Sequence, residues 1–252
     1  GQLTLRIPDM LIGTMLAIFA YLAFGGLEFG LFNTGLLLAA LFFIVRALWV
    51  REQKPAGALA ERLAKLRQVF KGPIQLQFSW SSLVGIAGIA WVVFFRYFRL
   101  SSVPSEMNSD HAEKIMDVLR VLSGQTLIFF PTNGGREALQ FYLVAGVHKY
   151  LGVPLGFDIL KLVTITVGFL ALLFIYLIGK EFANRRVGLL AFLFAGIGYW
   201  PNVVSRVGMR LPFYMLFTAA TLYFLIRGIR RSRRNDFIWA GLWLGLGLHG
   251  YT

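Results

Sequence analysis

The chain contains no cysteine, so disulfides, thiolate nucleophiles and cysteine-ligated metals are all excluded. Three histidines, scattered along the sequence, are too few for a metal cage. Acidic residues are scarce as well, 12 Asp and Glu against 25 Lys and Arg. Charged residues make up only 15% of the chain, well below the roughly 25% of ordinary soluble domains. No short signal-peptide pattern with a small-residue cleavage site opens the sequence, and no internal repeat is visible in it.

Apolar residues are abundant instead: 57% of the chain is hydrophobic and the mean hydropathy is +0.67. Apolar runs occur at residues 8–24, 30–50, 78–98, 156–179, 187–204, 211–227 and 237–252. Each approaches the about 20 helical residues that cross a hydrocarbon core about 30 Å thick. The runs are continuous and lack period-two alternation, which selects helices over barrel strands. The sequence therefore reads as an all-α integral membrane protein of seven spans.

The formal net charge of +13 raises the question of nucleic acid, but the basic residues are grouped by topology. Seven lie in 46–71, three in 180–186 and five in 227–234. Alternating spans put all three groups on one side, which the positive-inside rule makes cytoplasmic. The amino terminus is then inside a plasma or inner membrane, while residues 101–155 and the turn at 205–210 face outward. No basic patch interleaved with exposed aromatics supports a nucleic-acid partner.

Three regions are expected. Residues 1–50 form a transmembrane hairpin closed by Gly25-Gly26-Leu27-Glu28-Phe29-Gly30, a turn rich in the residue that tolerates positive φ. Residues 51–77 form a cytoplasmic linker with an amphipathic helix at 58–70, where Leu59, Leu63, Leu66 and Phe70 recur at helical spacing; such a helix lies on the membrane surface or on a partner subunit. Residues 78–252 hold the remaining spans and the long outer segment. Within that segment, Ile115, Val118, Leu119 and Leu122 predict one interfacial helix over 110–123, and a second is expected over 136–150 after a Pro-Thr-Asn-Gly-Gly loop. Asp110 and Arg136-Glu137 would then stand at the amino-terminal ends of these helices and face a shared cleft.

The order of motifs over residues 78–252 resembles the family 39 membrane glycosyltransferases of the GT-C fold, which include protein O-mannosyltransferases and the aminoarabinose transferase of lipid A. The resemblance is carried by Ser109-Asp110-His111-Ala112-Glu113, the break Ser123-Gly124, Arg136-Glu137 running to Leu143, Leu160-Lys161, Tyr199-Trp200-Pro201, Ser205-Arg206-Val207-Gly208-Met209-Arg210, and the apolar run ending in Tyr251. His111 stands where the family commonly has Glu. The resemblance implies transfer of a sugar from a polyprenyl-phosphate donor to an acceptor hydroxyl on the outer face, with inversion, and without a metal or other cofactor. Asp110 would be the catalytic base. Arg206 and Arg210, in a four-residue register, would hold the lipid phosphate. Arg136 and Glu137 would contact the sugar or orient Asp110, and Asn108 and His111 would line the cleft.

Each assignment has a plainer alternative. Asp110, three residues before Glu113, suits an N-cap; arginines at span ends snorkel; neighbouring Arg and Glu form ion pairs; one histidine near a helix start is a local hydrogen-bond partner. A second function also fits, that of a non-catalytic integral subunit using a GT-C-like scaffold in a larger membrane complex, with membrane lipids and other subunits as partners. The extra hairpin and the abrupt end in an apolar run, which point to a longer natural protein, favour it. A transporter is disfavoured by the lack of an inverted repeat or a mid-span ionisable residue.

The absence of native cysteine makes the topology directly testable. Externally added membrane-impermeant maleimide is expected to modify Ser123→Cys but not Ser232→Cys in intact cells; labelling of position 232 would reverse the assignment.

Overall fold

The computed structural model describes residues 5–50, 64 and 80–251. The expected linker at 51–77 and its amphipathic helix at 58–70 lie, residue 64 apart, outside the described residues. Among these residues the chain forms ten α-helices and one two-stranded ribbon: α1 (Ile7–Ala23), α2 (Leu31–Leu48), α3 (Trp80–Tyr97), α4 (Ser109–Leu122), β1 (Phe129–Phe130), β2 (Arg136–Glu137), α5 (Leu139–Leu151), α6 (Phe157–Phe182), α7 (Arg185–Ile197), α8 (Tyr199–Arg206), α9 (Leu211–Arg231) and α10 (Arg234–Gly247).

Three of these helices, α2, α6 and α9, are long and apolar enough to cross a membrane, and α7 with α8 makes a fourth if the bent pair is one span. The chain is thus a helical membrane protein. The seven crossings expected from hydropathy exceed this number for reasons of length. The 14 residues of α10 rise only about 21 Å at 1.5 Å per residue, and α1 and the apolar part of α3 are also short. The run at 187–204 is broken by a 58° bend between α7 and α8. Gly198 and Pro201 cause the bend, since proline supplies no amide hydrogen. Asn202 Nδ2 satisfies carbonyls freed there, donating to Gly196 O at 2.7 Å and Gly198 O at 2.8 Å.

The long helix α6 is the central post, packed against α7 on one side and α9 on the other. Its buried residues Ile159, Leu160, Val163 and Val167 share one core with Val118 of α4, Phe130 of β1, Phe141 and Val144 of α5 and Phe213 of α9. The outer segment therefore packs into the main core. The α6–α7 contact is close enough to involve backbone: a Cβ at Gly188 would lie 2.5 Å from Tyr176 O.

The face that α4 buries differs from the expected one. Val118 is buried, but so are His111, Lys114 and Asp117, while Leu119 and Met116 are 43% and 56% exposed. His111 and Asp117 go inward because each meets a partner from elsewhere in the fold, and Lys114 donates to the Asp110 carbonyl on its own helix, which offsets their desolvation. The second helix begins at Leu139, and Arg136-Glu137 belong to β2, antiparallel to β1 in the register Phe129 with Glu137 and Phe130 with Arg136. These two residues are thus placed by a ribbon ahead of the helix, not by its first turn.

The hairpin α1–α2 is attached at both ends. Its turn pairs with the segment before β1, through Phe29 N to Thr126 O at 2.6 Å and Ile128 N to Leu27 O at 2.9 Å. At the end of α2, Val50 exchanges two backbone hydrogen bonds with the Asn235 side chain, at 2.9 and 2.8 Å.

Gly188→Ala is expected to lower stability by about 1–3 kcal/mol, the cost of overpacking a tight contact, read as a lower melting midpoint in detergent. Gly35→Ala, where an added Cβ meets nothing within 4 Å, is expected to be neutral or slightly stabilising.

Candidate functional site

The start of α4 is set by Asn108. Its Oδ1 accepts from His111 N at 3.2 Å, and its own N–H donates to His111 Nδ1 at 3.1 Å, so the pair forms a reciprocal cap. With Nδ1 engaged as an acceptor, His111 Nε2 carries the proton and donates to Val207 O at 2.6 Å. Burial pushes the His111 pKa below its ordinary value, with Val207 opposing the shift and Lys114 adding to it. Asp110 is therefore not the cap. It occupies the first turn, where a carboxylate is favoured by the helix dipole, and its side chain is 47% exposed.

Arg136 reaches this helix from β2. The tight turn before it requires Gly135 (φ +102°), where a Cβ would strike the Phe129 ring. The Arg136 side chain, 3% exposed, forms an ion pair with Glu113 and lies 3.8 Å from Asp110 Oδ1 and 3.6 Å from Asp117 Oδ2. Residues 110, 113 and 117 are one turn apart on α4, so one guanidinium spans three carboxylates. Asp117, fully buried, is further satisfied by Arg120 at 2.9 Å and by the Thr132 hydroxyl at 2.8 and 3.1 Å.

The loop between α8 and α9 supplies the opposite wall. It is fixed by His111 on Val207 O and by Gln140 Nε2 on Gly208 O at 2.9 Å. Arg210 then forms an ion pair with Glu137, and its guanidinium lies 5.4 Å from the centroid of the Tyr251 ring. Leu139 N donates to His249 O at 3.3 Å, which brings the end of the chain to the same place.

The result is a cleft of about 300 Å³ lined by Asp110, Lys114, Arg136, Met209, Arg210, Leu211 and Tyr251. Three cations and one carboxylate face it. Lys114 is buried, donating from Nζ to Asp110 O at 3.2 Å. Burial first, and then the neighbouring Arg136 charge, push the Lys114 pKa down to about 8. Such a site accepts an anionic group, and Asp110 offers a half-exposed carboxylate beside it.

Of the residues singled out from the sequence, Asp110, Arg136 and Arg210 line this cleft, and Glu137 is held against Arg210. Asn108 and His111 are bound to each other and to Val207, at the edge of the cleft. Arg206 goes elsewhere. Its guanidinium donates to the carbonyls of Phe95, Arg96, Phe98, Arg99 and Val103, closing the carboxy-terminal end of α3, where helix carbonyls lack intrahelical partners. That occupation contradicts its assignment to a lipid phosphate. Lys114 and Asp117, read as part of the polar side of an interfacial helix, are the functional neighbours that sequence reasoning missed. Their spacing from Asp110, four and seven residues, was the available signal.

A half-exposed carboxylate opposite buried cations, at one end of a helical bundle, has the groups that anion binding and proton transfer require. Residues 139–251 match the family described as dolichyl-phosphate-mannose-protein mannosyltransferase. This stretch is a little under half of the chain; it includes Arg206, Arg210 and Tyr251, and begins after Asp110, Lys114 and Arg136. No curated protein and no solved structure matches the chain. Over that stretch the chain is similar to membrane glycosyltransferases.

The Lys114 shift carries a pH signature. Between about 8 and the ordinary lysine value of 10.5, the unfolded chain holds a proton that the folded chain has released, so stability rises with pH across that window. The melting midpoint of wild-type protein is expected to climb between pH 7.5 and 9.5 more steeply than that of Lys114→Met. Parallel profiles would remove the buried, depressed lysine from the description of the cleft.

Proposed function

We propose that the chain carries the catalytic site of a GT-C-type, family 39-like glycosyltransferase that uses a polyprenyl-phosphate sugar. The observation that carries the reading is the single cleft onto which Asp110, Lys114 and Arg210 converge from α4 and the α8–α9 loop. The partial family match over residues 139–251 supports the same class. The cleft volume, about 300 Å³, sits at the lower end of small-ligand sites, about 300–1,000 Å³.

In this reading the cleft faces outward and the basic groups at 180–186 and 227–234 face the cytoplasm of a plasma or inner membrane. The acceptor hydroxyl oxygen attacks the anomeric carbon. The carbon–oxygen bond to the phosphate breaks with its electron pair leaving on the polyprenyl phosphate, and the hydroxyl proton passes to the Asp110 carboxylate. Arg210 and Lys114 stabilise the charge developing on the leaving phosphate. Arg136 holds Asp110 in place as a positioning residue, and Glu137 orients Arg210 until the donor phosphate competes for it. The lipid-linked donor, membrane lipids and further integral subunits are the partners; the second reading, a scaffold subunit without turnover, differs in having no use for the Asp110 carboxylate.

Asp110→Asn separates the two. The helix cap belongs to Asn108, and Asp110 is the half-exposed and most distant of the three carboxylates around Arg136, which keeps Glu113 and Asp117, so the substitution leaves the fold intact while removing the basic carboxylate. Turnover of a polyprenyl-phosphate sugar by the full-length protein in liposomes is expected to fall by about 10² or more, with an unchanged melting midpoint. Wild-type protein that neither binds nor turns over such donors, and copurifies stoichiometrically with other membrane subunits, would establish the scaffold instead.

A further inference from the structure

A second cavity, of about 600 Å³, lies between α3, α6 and α7. The helices α3 and α7 run side by side in parallel, their small residues in register: a Cβ at Gly85 would meet Leu189 at 3.6 Å, one at Gly88 would meet Leu193 at 2.6 Å, and one at Gly196 would meet Val92 at 2.5 Å. Between this pair and α6 a groove remains open, walled by Ile86, Ile89, Phe169, Leu173 and Leu189. Ile86, Ile89 and Leu173 are 54%, 43% and 42% exposed, so the groove faces outward from the bundle, where hydrocarbon lies.

One end of the groove is polar. Arg185 and Arg186 line it at the first turn of α7, and both are exposed. The amino-terminal end of α7 adds its partial positive charge at that end, with Asn184 Oδ1 accepting from Arg186 N and Val187 N at 2.9 and 3.1 Å. From Arg185 to Phe192 the helix rises about 10 Å, a length suited to part of one extended acyl chain.

We propose that this groove binds an anionic glycerophospholipid, one acyl chain lying between α3, α6 and α7 and the headgroup phosphate on Arg185 and Arg186. The site is separate from the cleft at Asp110. That cleft adjoins the start of α6 through the His111–Phe157 ring contact, whereas the two arginines follow the end of α6 at Phe182. The 26 residues of α6 span about 39 Å, so the two polar ends belong to opposite leaflets. A donor whose phosphate occupies the cleft cannot place that phosphate on Arg185 and Arg186, which commits the groove to a resident membrane lipid. The inference is independent of the transferase reading, because it requires only that α6 spans the bilayer.

The test is lipid retention by full-length protein, followed by native mass spectrometry with phosphatidylglycerol and phosphatidylcholine of identical acyl chains. Wild-type protein is expected to prefer phosphatidylglycerol by about 30-fold, the scale of two basic side chains at an anionic lipid headgroup. Arg185→Gln with Arg186→Gln is expected to bring the two lipids near parity while leaving phosphatidylcholine retention unchanged. Leu173→Trp, filling the groove, is expected to reduce retention of both lipids; Ile89→Trp serves the same purpose if that variant melts early. Equal retention of the two lipids by wild type, or a preference that survives the double substitution, overturns the proposal. Displacement of bound phosphatidylglycerol by substoichiometric polyprenyl phosphate overturns it in favour of a donor-tail site.

Discussion

Arg136 is the contact on which the segment from α4 to β2 depends. Its guanidinium, carried by a two-residue strand, lies against Asp110, Glu113 and Asp117 of one helix. A buried charge is tolerated only with partners of opposite sign, and removing one member of such a group typically costs about 3–5 kcal/mol. The ribbon and α4 therefore stand or fall together. Because Glu137 follows Arg136 directly and faces Arg210, the same ribbon links the acidic helix to the α8–α9 loop. One wall of the cleft is in this way tied to the other through two adjacent residues.

The basic excess of the chain serves two different ends. Some cations lie at the cleft, while others are spent on backbone carbonyls. Arg206 closes the end of α3, and Lys161, fully buried in α6, donates to the carbonyls of Leu100, Ser101 and Pro104 at 2.7, 3.1 and 3.2 Å and pairs with Asp158 at 2.8 Å. Together these two side chains hold residues 95–104 against the bundle. A planar guanidinium reaching five carbonyls is not replaceable by an ammonium, whose three donors radiate from one point. Arg206 and Arg210, alike in sequence, thus differ wholly in their contacts: one ends a helix and the other pairs with Glu137 at the cleft.

The apolar helices were legible because continuous hydropathy reports burial in lipid or protein directly. The ends of α1, α2, α6 and α9 fall close to the expected spans. The number of crossings was less legible, since hydropathy does not register the 58° break at Gly198 and Pro201. At the site, Asp110, Arg136, Glu137 and Arg210 could be named from their order along the chain. The inward turn of His111 and Asp117 could not, because their partners are Val207 and Arg136, which only the folded chain brings near; Lys114 is drawn in with them on the same face. The periodicity of Ile115, Val118, Leu119 and Leu122 described a helix correctly and its buried face in part: Val118, Ile115 and Leu122 meet the core, Leu119 is exposed, and Lys114 and Asp117 are buried beside them. Asn108 took the cap from Asp110 because its side chain pairs with the third helical residue, His111, a reciprocal partner that the usual Glu or Gln pattern does not anticipate.

The hairpin of α1 and α2 has a consequence for how the protein is put together. It is stitched to the segment before β1 at its turn and to Asn235 at its far end, with the Phe29 and Tyr142 rings edge to face, their centroids 5.9 Å apart. Noncovalent contacts from 127–142 and from 235 therefore seat it at both extremities. Its attachment is that of a docked module, held at its turn by backbone hydrogen bonds and at its far end by one side-chain amide.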